Sequence, residues 1–67
     1  MIKLNDFISL FGNYDRVLIK NVTDKDNTIL IHDGYCSDIK MSEYDMEEYF
    51  VVQSRVFNNG LLVLVTK

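Results

Sequence analysis

Leu4, Phe7, Ile8 and Phe11 stand at i, i+3, i+4 and i+7, which places four apolar side chains on one face of a helix. Asn5 is suited to cap its N-terminus, and Asp6 to meet the positive end of its dipole. Gly12 is suited to the left-handed position that ends it. This spacing predicts a helix over 5–11. Only about two turns long, it is too short to be stable alone in water and needs an apolar surface to lie on. The pattern then changes to β-branched and aliphatic runs at 16–22 (RVLIKNV) and 28–32 (TILIH), separated by the polar stretch 23–27. That is the signature of a hairpin. Gly34 follows, read either as a bulge or bend or as a two-residue turn. The bend is preferred, because a turn would leave Tyr35-Cys36 as a very short strand with charged neighbours.

Residues 42–49 predict a second short helix. Ser42 and Asp45 have the Ser-x-x-acid spacing of a capping box, and Met41 and Met46 that of a hydrophobic staple. Glu43 and Asp45 fall in its first turn. Finally, 50–57 (FVVQSRVF) and 61–65 (LLVLV) flank Asn58-Asn59-Gly60. Asn-Gly is the strongest local hairpin signal, since both residues accept positive φ. The order is α-β-β-α-β-β: one α+β domain over 1–67, with two short helices and a four-stranded antiparallel sheet. The helix of 5–11 covers one face. The opposite face, with Gln53 or Arg55 and tyrosines, is expected to be partly open to water.

Composition narrows the class. A chain of 67 residues buries only about 60% of the surface of its unfolded form. Its core supplies a net stability of about 3–5 kcal/mol. Hydrophobic residues at 48% are enough for a packed core and argue against disorder. No run of apolar residues is long enough to span a bilayer. Asp6 interrupts the N-terminal stretch too early for a secretory signal, and no small-residue cleavage site follows. Cys36 is the single cysteine, so no internal disulfide is available to a domain that outside the cell would usually need one. These features together predict a protein of the cytosol. One histidine and no Cys-x-x-Cys pair exclude a structural zinc site, and no cofactor is expected.

The net charge of −3 is unevenly spread. Residues 1–32 are balanced. Residues 33–48 hold Asp33, Asp38, Glu43, Asp45, Glu47 and Glu48 against Lys40, which is −5, and residues 49–67 hold only Arg55 and Lys67. Direct nucleic-acid binding needs a basic footprint that releases counterions, and the balance lacks one. An acidic patch instead suits a basic partner. Tyr35, Tyr44 and Tyr49 lie in or beside the same stretch, and tyrosine is a favoured interface anchor. The candidate partner-binding group is therefore Asp33, Tyr35, Asp38, Glu43, Tyr44, Asp45, Glu47, Glu48 and Tyr49. The plainer reading is a solvated face, with tyrosines completing the core.

Two chemical readings are weaker. His32 and Cys36 are the one pair that suggests a cysteine nucleophile. In extended chain their Cα atoms lie about 13 Å apart, and no orienting third group is evident. The plainer reading is an exposed histidine and a small packed cysteine. The acids from Asp33 to Asp38 lack the alternating ligands and closing glutamate of a calcium loop. A further surface is a sheet edge: Leu61–Val65 carries no charge, and as an edge it would invite homodimerisation by strand pairing.

The stretch LNDFISLFGNYDRVLI, the Gly-x-x-x-Asp-Ile at Gly34 to Ile39, and the closing NNGLLVLV resemble small proteins of phages and mobile elements in low-GC Gram-positive bacteria. The resemblance covers most of the chain, and its motifs are structural. It brings no catalytic residues. It implies an accessory protein that inhibits a host protein, as anti-CRISPR proteins inhibit CRISPR–Cas effectors. The expectation is thus a binding protein and not an enzyme, acting on a basic, nucleic-acid-binding host protein through an acidic, tyrosine-bearing surface. The alternative is a structural or oligomerising module that works through sheet edges.

Overall fold

A computed structural model describes residues 1–39, 46–57 and 60–67. The elements are α1 (Leu4–Ile8), β1 (Arg16–Asn21), β2 (Ile29–Tyr35), a 3-10 turn (Cys36–Asp38), a second 3-10 turn (Met46–Glu48), β3 (Phe50–Phe57) and β4 (Gly60–Thr66). The four strands form one sheet in the order β2-β1-β4-β3. Both hairpins are present as the hydrophobic runs predict: β1 pairs with β2 and β3 with β4, each antiparallel. The α+β character holds, but the sheet is mixed. Its two central strands run parallel, with Val17 opposite Leu61, Ile19 opposite Val63 and Asn21 opposite Val65.

The expected all-antiparallel sheet fails for a physical reason. Turn chemistry fixes each hairpin, but it says nothing of how two hairpins join. Parallel neighbours need a connection of about a dozen residues or more. The segment between Tyr35 and Phe50 is long enough to join opposite corners of the sheet. The parallel arrangement sets Val17, Ile19, Val63 and Val65 side by side beneath α1, where all are buried. Leu4, Ile31 and Tyr49 complete this core, and Phe7, Ile8, Cys36, Ile39, Val51 and Leu61 pack around it.

The N-terminal helix is shorter than its apolar spacing predicts. Residues 9–11 leave it as turns, held by the Leu10 amide on the Phe7 carbonyl at 3.2 Å and the Phe11 amide on the Ile8 carbonyl at 3.0 Å. Phe11 keeps its place by an edge-to-face contact with Phe7, centroids 5.2 Å apart. Lys3, not Asn5, is the N-cap, and no side chain caps the helix there. The reason is that residues 2–4 are engaged with the start of β3: the Leu4 amide donates to Tyr49 O at 2.9 Å and the Val51 amide to Ile2 O at 2.8 Å. Gly12 does not adopt positive φ. Its amide instead donates to the Asp15 carboxylate at 2.7 Å.

The predicted bulge at Gly34 lies elsewhere. Gly34 sits inside β2, paired with Val17, and the register slips at Ile31, which turns inward and is buried. The strand ends at Tyr35, and Cys36–Asp38 is a 3-10 turn. The β3–β4 hairpin closes one residue earlier than Asn59-Gly60 implies, since Gly60 already pairs with Phe57 in β4. Gly60 is needed for another reason. A Cβ there would stand 3.0 Å from Arg16 O and 3.2 Å from Arg16 Cβ, in the close approach of β4 to β1. Of the predicted helix 42–49, Met46–Glu48 is a 3-10 turn. Its Ser42 cap and Met41 staple lie outside the described residues.

Candidate interaction surfaces

The alternation of side chains along a strand assigns every β-residue to one face. Val17 and Ile19 point into the core, so Arg16, Leu18 and Lys20 point away from it. Val63 and Val65 are buried, so Leu62 and Leu64 point the same way as Leu18. Register extends these rows across the sheet. One row reads Asp33, Leu18, Leu62, Arg55, and the next Leu30, Lys20, Leu64, Gln53. A third reads Tyr35, Arg16, Gly60, Phe57. Val52, the extra residue where the β3 register slips, follows inward-packed Val51 and so stands beside Gln53.

The second face thus has an apolar centre of Leu18, Leu62 and Leu64, bordered by Leu30 (56% exposed) and Val52 (53% exposed). Among the described residues, no element packs over it; α1 and the buried cluster belong to the other side. Its charged members are Arg16, Lys20, Arg55 and Asp33. Arg16 donates to Asp33 at 3.4 Å, with both side chains more than half exposed. The composition of β4 carried the signal for this face. In LLVLV both alternate sets of positions are apolar, the pattern of a strand with something on each side.

The predicted acidic group is not brought together as one cluster among the described residues. Asp33, Tyr35 and Asp38 lie at the end of β2, beside the start of β1. Glu47 and Glu48 precede β3, at the other end of the sheet and its opposite edge. There Glu48 pairs with Lys67 at 3.4 Å. Tyr49 is buried at 8% exposure as part of the core, with Lys67 Nζ 5.4 Å above its ring. Tyr35 is exposed and meets Tyr14 edge to face, centroids 6.4 Å apart. Glu43, Tyr44 and Asp45 lie outside the described residues.

His32 and Cys36 belong to different local networks. His32 Nε2 is 3.0 Å from Tyr35 O, and its ring lies beside Gly34. The Cys36 amide donates to Asp15 O at 2.9 Å, and its side chain packs against the core. Burial, and then the Asp15 carboxylate, push the Cys36 thiol above its ordinary pKa. That is the opposite of what an activated nucleophile needs. Among the described residues, no three His, Cys, Asp or Glu side chains gather where they would hold a metal ion. Among the described residues, no helix is long and apolar enough to cross a membrane.

The sheet edges are guarded. β2 carries a register slip at Ile31 and the charge of Asp33. β3 carries a slip at Val52, and its first residues are bridged by Ile2 and Lys3. Such bulges and charges discourage strand addition. The uncharged Leu61–Val65 run is in a central strand and has no free edge. No family model, no curated protein and no solved structure matches this chain.

Proposed function

We propose that this chain is a protein-binding module whose uncovered sheet face is the docking surface. One observation carries the reading: β4 is apolar on both sides and Leu18 of β1 joins it on the second, yet only one side is covered among the described residues. Parallel strands are ordinarily buried on both faces. A contiguous apolar face rimmed by polar groups is a common mark of an interaction site. The raised pKa of the Cys36 thiol weighs against it as a nucleophile, which supports binding over catalysis. The resemblance to small phage proteins supports a narrower form: the bound partner is a host protein, and binding blocks its activity.

The test is affinity capture from a low-GC Gram-positive lysate with three baits. These are the wild type, Leu62→Thr/Leu64→Thr, and Asp45→Lys/Glu47→Lys/Glu48→Lys. The reading expects a partner held by the wild type to be lost by the leucine variant and kept by the acidic variant. The reverse pattern would return the binding surface to the acidic stretch.

A further inference from the structure

We infer that the occupant of the open face is an acidic, amphipathic helix of a partner protein, laid across Leu18, Leu62 and Leu64. The inference rests on the docking face proposed above and adds its chemistry. Among the described residues, Arg16, Lys20 and Arg55 project from this face against Asp33 alone, a local balance of +2. The whole chain has 7 basic and 10 acidic residues. The rest of the sequence, with 4 basic and 9 acidic residues, sums to −5. A basic-rimmed face on an acidic protein is matched by a ligand with carboxylates flanking its apolar stripe.

The same balance disfavours a second copy. A face-to-face dimer would bring together two faces that carry the same net positive charge. Single-stranded nucleic acid is matched on charge but not on contact. Base recognition uses aromatic platforms, and the centre of this face is aliphatic. Its aromatic residues stand at the margins, Phe57 and Tyr35 at one end and Phe50, opposite Thr66, at the other. An extended peptide would need a sheet edge, and both edges are interrupted by register slips. A helix is the form that buries a sheet face without a free edge. The partly buried Lys20 is suited to hold its stem along Leu64 while its ammonium reaches a carboxylate at the helix margin.

The experiment uses the full chain, labelled with nitrogen-15, and two synthetic amphipathic helices with the same leucine stripe. One is flanked by glutamate and one by lysine. The expected result is amide shifts centred on Leu18, Lys20, Leu62 and Leu64 with the glutamate peptide, at least tenfold tighter than with the lysine peptide. The preference should weaken as salt rises and invert in Lys20→Glu/Arg55→Glu. Equal binding of both peptides to this face overturns the inference and leaves the docking face standing. No shift at the face with either peptide overturns both. Tighter binding by a single-stranded oligonucleotide, or face shifts that grow with protein concentration alone, overturns the helix in favour of nucleic acid or of a second copy. A dispersed amide spectrum for each variant shows that the fold is retained.

Discussion

Val63 and Leu62 are neighbours in one central strand, with similar hydropathy and opposite circumstances. Val63 has no solvent exposure and faces α1 with Ile19 and Val65, whereas Leu62 faces the other way with Leu18 and Leu64 and keeps part of its surface in water. The first face is closed by a five-residue helix and by Tyr49. The second is bordered by charge and closed by nothing among the described residues. The difference teaches that apolar content alone does not mark a core. On the covered side it holds the domain together. On the open side no described residue covers it, and that is why the proposed binding is placed there.

The sharpest way to break this comparison is to place a charge on each side in turn. Val63→Asp buries a carboxylate without a partner, at a cost of several kcal/mol. Against a total margin of about 3–5 kcal/mol for a domain of this size, it should leave the chain unfolded by circular dichroism at 25 °C. Leu62→Lys should cost about 1 kcal/mol or less in urea unfolding, in the range of surface substitutions. If both variants unfold, the two faces are energetically alike and the open face is part of the core.

A smaller effect is expected at the seam between the hairpins. Gly60→Val sets a branched side chain against the Arg16 backbone, where a Cβ alone would come to 3.0 Å. It should cost about 1–3 kcal/mol, as overpacking does, read from the urea midpoint. An unchanged midpoint would show that β4 and β1 part easily.

Cys36 reports on the covered side. Burial and Asp15 hold its thiol protonated, so its alkylation at pH 8 should be slower in the folded chain than in urea. Asp15→Asn should speed it. Because the folded thiol has the raised pKa, its contribution to stability is complete below the ordinary thiol pKa and is lost as pH rises from there through the raised folded value. Equal alkylation rates in folded and unfolded chain would remove both statements. The smallest effect belongs to the exposed Arg16–Asp33 pair. Asp33→Asn should change stability by under about 1 kcal/mol, and still less in high salt.

The elements were largely legible, because hairpins and short helices are written in local spacing. The runs 16–22 and 50–57 became β1 and β3 almost residue for residue. The joining of the hairpins was not legible, since nothing local in 36–49 states whether β4 meets β1 parallel or antiparallel. Asn5 lost its capping role to a distant event, the pairing of residues 2–4 with β3. Of the candidate site residues, Tyr49 was read as an anchor and lies in the core. A tyrosine beside glutamates looks the same in sequence whether its ring turns in or out. The open face had a visible sign in the doubly apolar β4, but its extent needed the register of all four strands.

The most direct test of the central claim is methyl cross-saturation on the labelled chain bound to its captured partner. The account predicts attenuation of the Leu18, Leu30, Leu62 and Leu64 methyls, with Leu4, Ile19, Val63 and Val65 unaffected. Attenuation confined to the side chains around α1, or to amides at Asp38 and Glu47–Glu48 with the open-face methyls unchanged, would contradict it.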